Sequence, residues 1–132
     1  MMLELGIKGH AEVLCSAENT AAAVGSGALP VFSTPSMIAL MEKAALTSIQ
    51  PYLDEGQGSV GTELNIAHLA ATPMGLTVTA ESELIAIDRR MLTFSVKAYA
   101  AGELIGEGTH KRCIVFNDRF MEKAQAKIKQ IK

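Results

Sequence analysis

Two side chains stand where their types and spacing could move a proton: the carboxylate of Glu42 and the imidazole of His68. Residues 34 to 50 read as the longest helix of the chain, with Thr34 suited to the N-cap and Pro35 to the first helical position. Side-chain neighbours on a helix lie three and four residues away, and for Glu42 these are Ile38, Ala39, Ala45 and Leu46, all apolar. A carboxylate so placed either sits on an exposed flank with its head in water or is held in a poorly solvated place, where it can act as an acid, a base or an electrostatic stabiliser. In the second case the fold should be indifferent to the loss of the charge, or gain from it, because a poorly paired carboxylate costs desolvation energy.

The second of these residues, His68, ends a strand that the sequence opens near Ser59. Thr62, Leu64, Ile66 and His68 share one face by the period of two, opposite Glu63, Asn65 and Ala67. His68 therefore falls on the more apolar side, the side a single long helix would cover. There it is either a core histidine bonded to a backbone carbonyl or a general base oriented by a carboxylate, with Glu42 facing it across helix and sheet or across a subunit interface.

The elements that must position these groups follow in one order. Residues 3 to 15 form a first strand, and Ser16 to Leu29 is a small-residue stretch with room for one short helix and a loop. Pro51 and Gly56-Gln57-Gly58 close the long helix and open the strand from Ser59 to Leu69. Leu76, Val78, Ala80, Ser82 and Leu84 then alternate with polar residues, as do Leu92, Phe94, Val96 and Ala98, so each strand has one dry and one wet face. Turns at Asp88-Arg89-Arg90 and Ala101-Gly102-Glu103 make a meander that continues to Phe116. Phe120, Ala124, Ile128 and Ile131 form a stripe on a terminal helix whose other face is rich in lysine and solvated. The class is α+β: a long helix against an antiparallel sheet.

Composition excludes several functions. The chain has 132 residues and a formal net charge of −2, which suits one domain spanning residues 1–132 and offers no basic stripe for a phosphate backbone, so nucleic acid is not an expected partner. No apolar run approaches the ~20 residues of a membrane span, and the opening Met1-Met2-Leu3-Glu4-Leu5 lacks the regions of a signal peptide. A cytoplasmic protein without a membrane partner is expected. Cys15 and Cys113 are expected to be reduced, and with no metal-ligand spacing they indicate neither a metal site nor a catalytic thiol.

Several segments carry a family resemblance in one order: Thr34 followed by Met37-Ile38-Ala39-Leu40-Met41-Glu42, then Pro51-Tyr52-Leu53, Gly58-Ser59-Val60-Gly61-Thr62, and His68-Leu69-Ala70-Ala71-Thr72-Pro73-Met74-Gly75-Leu76-Thr77-Val78. Together they resemble the hotdog-fold acyl-CoA thioesterases, and within them the fluoroacetyl-CoA thioesterase group. The likeness runs from about Val31 to Gly108-Thr109-His110-Lys111-Arg112 and is densest between Glu42 and Thr79. It implies a long central helix wrapped by an antiparallel β-sheet, a homodimer or a dimer of dimers, an acyl-CoA substrate, and no cofactor beyond the coenzyme A that belongs to that substrate. It also implies catalytic roles for Thr34, Glu42 and His68, a backbone contact to the thioester carbonyl at Gly61, an acyl-site arginine at Arg112, and Leu29 and Phe32 beside the acyl group.

The residues weigh these roles unequally. Thr34 and Glu42 are eight positions apart, ~12 Å along a helix axis, too far for a direct bond. Thr34 is equally well explained as a helix cap, Gly61 as a strand bulge, and Arg112 as an exposed strand arginine or a partner of a phosphate or carboxylate. His110 shares the face of Arg112, while His10 is expected to be structural or solvent-facing. One departure concerns the lid: where the fluoroacetyl-specific members have an aromatic residue before the helix, this chain has Leu29 in a segment one residue shorter. Hydrolysis of a short-chain acyl-CoA is the function expected, with a non-catalytic acyl-CoA or small-ligand binding module as the chief alternative and a hotdog dehydratase or hydratase as the weaker one.

Overall fold

The computed structural model describes residues 2–131. In chain order these form β1 (Lys8–Leu14), α1 (Ala21–Val24), α2 (Thr34–Ile49), a single 3-10 turn (Gln50–Tyr52), β2 (Gln57–His68), β3 (Thr77–Asp88), β4 (Met91–Ala100), β5 (Glu103–Phe116) and α3 (Asn117–Gln130). The strands make one antiparallel five-stranded sheet in the order β1-β3-β4-β5-β2, so β1 and β2 are its edges.

α2 buries Met37, Leu40, Met41, Ala44, Ala45 and Ile49 on one stripe, at the spacing that keeps side chains on one helical face. Facing them are the alternate residues of the meander: Val78, Ala80 and Leu84 from β3, and Leu92, Phe94, Val96 and Ala98 from β4, all buried. Gly9 of β1 lets the edge strand lie against the helix, because a side chain there would run into the carbonyl oxygen of Ala44. The alternation expected for β3 and β4 is therefore the core of the protein. α3, by contrast, buries none of its residues, and its stripe of Phe120, Ala124, Ile128 and Ile131 is exposed.

Three local details differ from the sequence reading. The first strand begins at Lys8 rather than at residue 3, because the chain turns at Gly6 with φ +94°, a backbone conformation that glycine supplies freely. The cap of α2 is Ser33, whose side chain accepts the amide of Ser36; Thr34 is the first helical residue, and its hydroxyl is not used as the cap. The third concerns the faces of β2: the bulge offered as one reading of Gly61 is present, the pairing with β5 shifting between Gly61 and Glu63, and it changes the facing that alternation gives. Thr62 is the extra residue of a bulge, and directly opposed residues share a face, so Gly61, opposite Arg112, lies on the same face as Leu64, opposite His110. Simple alternation places Gly61 on the other face from His68; the bulge brings both to the helix side. The wider face expected to be dry is not dry in the single chain, where Thr62 and Leu64 are exposed on the edge strand.

Candidate active site

Short backbone bridges bring the start of α2 to the end of β2. The amide of Phe32 donates to the carbonyl of Thr72 at 2.8 Å, that of Ser33 to Asn19 at 3.0 Å, and that of Leu69 to Ile105 at 2.7 Å. Phe32 is buried and anchors this crossing. With Ser33 acting as the cap, Thr34 Oγ1 is left free to meet His68 Nδ1 at 2.7 Å. The other ring nitrogen of His68, Nε2, is buried without a protein partner among the described residues.

That pair supports two proton routes. A hydroxyl can donate to Nδ1 and gain nucleophilic character, or Nδ1–H can donate to the hydroxyl and leave Nε2 as the base that takes a proton from water and then, as Nε2–H, donates it to a leaving thiolate. Beside it lies an open cavity of about 360 Å³, lined by Ala21, Val31, Phe32, Ala70 and Ala71 as well as by Thr34 and His68. Leu29 does not line it and is 66% exposed.

A second group forms further along α2. Glu42 Oε2 lies 3.7 Å from Arg112 Nη1, so the opposite charge that the helix itself does not offer comes from β5. Arg112 is buried, which removes the exposed-arginine reading. Its Nε donates to Ser59 Oγ at 2.8 Å and its Nη2 to the Ser59 carbonyl at 2.9 Å. Burial lowers the guanidinium pKa from its usual value, and the Glu42 carboxylate opposes that shift. Gly61 lies beneath the carboxylate: a Cβ there would fall 2.5 Å from Glu42 Oε2. The missing side chain is what lets the carboxylate lie this close to the Gly61 backbone.

Packing, not the ion pair, holds α2, and with it the Glu42 backbone, against the sheet. A fully buried Met, Leu or Ile contributes about 1.5–3 kcal/mol, and α2 has four of these among its buried residues. A pair whose carboxylate side chain is 36% exposed is worth about 0–1 kcal/mol.

Within one chain no hydrogen bond or ion pair among the described residues joins Thr34 and His68 to Glu42 and Arg112. The structure thus brings the sequence candidates together as two groups, not as one triad. Sequence reasoning gave His110 no definite role, although counting back by twos from the buried Ile114 puts Arg112 and His110 on the inner face. His110 is completely buried against Arg112. Cys15 is also buried, and its Sγ lies 3.7 Å from the Thr72 carbonyl oxygen. Burial pushes its thiol pKa up, away from the thiolate that a nucleophile requires. His10, as expected, faces solvent on β1.

Solved structures place this architecture among the hotdog-fold thioesterases. The fluoroacetyl-CoA thioesterase overlays with a TM-score of 0.90 at 32% identity, covering 96% of this chain and 98% of that one. A thioesterase superfamily member from Thermus thermophilus overlays at 0.87 with 26% identity, covering 96% and 93%. More narrowly, the chain belongs to the fluoroacetyl-CoA-specific thioesterase family, whose model matches residues 15–118. The fluoroacetyl-CoA thioesterase of Streptantibioticus cattleyicolor is 43% identical over 97 residues, 74% of this chain and 70% of that protein.

Proposed function

We propose that this chain hydrolyses the thioester of a short-chain acyl-CoA, releasing the free acid and coenzyme A. The observation that carries this reading is the 2.7 Å contact between Thr34 and His68, set beside an open cavity of about 360 Å³ in a chain of the thioesterase family. His68 takes a proton from water as the water oxygen bonds to the thioester carbonyl carbon, and returns it to the thiolate as the C–S bond breaks; where Thr34 attacks instead, its oxygen takes the acyl group and a second round with water releases the acid. The Gly61 amide stabilises the developing oxyanion, and Glu42 acts as a base toward the attacking water or stabilises the protonated imidazole. Phe32 and Val31 help to wall the acyl group, whereas Leu29 lies outside the cavity, so the proposal is for short acyl groups as a class and not for fluoroacetyl alone. Incubation with acetyl-, fluoroacetyl-, butyryl- and hexanoyl-CoA and a thiol reagent is expected to show CoA release from at least one. Binding of all four without release would favour the ligand module.

The same reading includes a homodimer with a shared site. β2 is a twelve-residue edge strand with exposed Leu64 and, just beyond its end, exposed Leu69, and such an edge is a template for a second copy. Antiparallel pairing about a two-fold axis near Asn65 would set His68 opposite the partner's Gly61 bulge and join the two groups that one chain holds apart. The expected result is a dimer of the 14.0 kDa chain by light scattering. Mixing unfolded and refolded His68→Ala and Glu42→Gln chains should also restore activity, ideally to roughly a quarter of the parent's sites, because half the dimers are mixed and each has one intact site. A monomer, or no restoration, would remove the shared site.

A further inference from the structure

Buried under Glu42 and Gly61 is an imidazole that the proposed chemistry does not use. His110 Nδ1 lies 3.0 Å from the carbonyl oxygen of Glu63, next to the β2 bulge, and Nε2 lies 3.2 Å from Arg112 Nη1. A carbonyl oxygen only accepts and a guanidinium nitrogen only donates. The proton must therefore sit on Nδ1 and the lone pair on Nε2, and the ring is neutral. Its faces and edges are closed from every side: Phe94 of β4 stacks on it at 6.0 Å, a Cβ on Gly61 of β2 would lie 3.3 Å from its Cε1, and Arg112 of β5 and Glu42 of α2 are the charged groups near it.

With this bond made, each nitrogen of the buried guanidinium has a hydrogen-bond partner. Ser59 holds Nε and Nη2, His110 holds one hydrogen of Nη1, and the remaining Nη1 hydrogen is available to Glu42. We propose that His110 is a positioning residue: as a neutral Nδ1–H imidazole it ties the β2 bulge to Arg112 and, through Arg112, aims the Glu42 carboxylate over the backbone of Gly61. The inference rests on the reading that Glu42 acts on the thioester.

Protonation would break this arrangement, since Nε2–H would then oppose an N–H of Arg112. Burial is the main cause holding the His110 pKa below its ordinary 6.5, opposed by the Glu63 carbonyl, reinforced by the Arg112 charge and opposed again by Glu42. The unfolded chain therefore takes up a proton below about pH 6.5 that the folded chain resists. Stability from His110 is complete above that pH and declines as the pH falls toward the depressed folded value.

Two substitutions and one spectrum test the proposal. The amide of His110→Gln can reach Arg112 as an acceptor, whereas His110→Asn keeps a donor for Glu63 but falls short of Arg112. Using whichever acyl-CoA the parent hydrolyses, the Asn variant is expected to lose kcat by about tenfold or more with KM nearly unchanged, and the Gln variant to stay within about threefold of the parent. The Tm advantage of the parent over the Gln variant should shrink between pH 7.5 and 5. Ring nitrogen NMR of the 15N-labelled parent should find His110 protonated on Nδ1 and bare on Nε2 at neutral pH. Equal kcat per folded molecule in all three proteins, equal losses in Asn and Gln, or a proton on Nε2 would each overturn the proposal. A parent that releases no CoA would instead overturn the enzymatic reading, and the spectrum would then decide the hydrogen-bond network alone.

Discussion

His68→Ala is expected to lower turnover by on the order of a hundredfold or more, the usual contribution of a positioned general base. The ring stands 2.7 Å from Thr34 Oγ1 and leaves a buried, unpartnered Nε2, so both proton routes pass through it and Thr34 cannot replace it. Removing it also removes the group that orients the Thr34 hydroxyl. Stability should change little, because His68 ends an edge strand, is half-buried, and its ring has no other protein hydrogen bond among the described residues. The measurement is kcat for CoA release together with a thermal melt. Near-parental turnover would take His68 out of the mechanism and leave it a helix-start contact for Thr34.

The positions of these groups were legible in the sequence to different depths, for physical reasons. Alternation exposed β3 and β4 because a sheet with one covered face writes its burial at a period of two, and Val78 through Leu84 and Leu92 through Ala98 keep that period without interruption. The long helix was equally plain, but its cap was misplaced by one residue: Ser33 and Thr34 have the same capping chemistry, and only the contact with His68 separates their roles. Gly61 marked the β2 bulge as one reading of a strand glycine, but not which residue is the extra one or what the bulge does to the faces. One extra residue changes no composition, yet it reverses the face of Gly61 and so decides whether that glycine can belong to the site. The counter-charge of Glu42 was legible only in part: the sequence offered Arg112 as a partner for a carboxylate, but it is 70 residues away and helix spacing describes only local neighbours.

Arg112 also changes what is expected of Glu42→Gln, a substitution that keeps the shape and removes the charge. Sequence spacing alone suggests a carboxylate with no partner, whose neutralisation would leave Tm equal or raised. The structure shows a partner, but one already held by Ser59 and His110. The Glu42 oxygen is 3.7 Å away, beyond a good hydrogen bond. What Gln removes is therefore a Coulomb attraction, screened because the carboxylate side chain is 36% exposed, and worth about 0–1 kcal/mol. Tm should fall by no more than a few degrees, since a chain of 132 residues lies between domains of about 60–100 residues, at about 4–8 °C per kcal/mol, and domains of about 150–250 residues, at about 2–4 °C. Turnover should fall much further, by on the order of a hundredfold or more, because an amide beside Gly61 can neither accept the proton nor supply the negative charge. A solvated flank residue would leave both quantities unchanged. A structural partner of Arg112 would show the opposite split, with a large loss of Tm and full activity per folded molecule, and either result would withdraw Glu42 from the catalytic group.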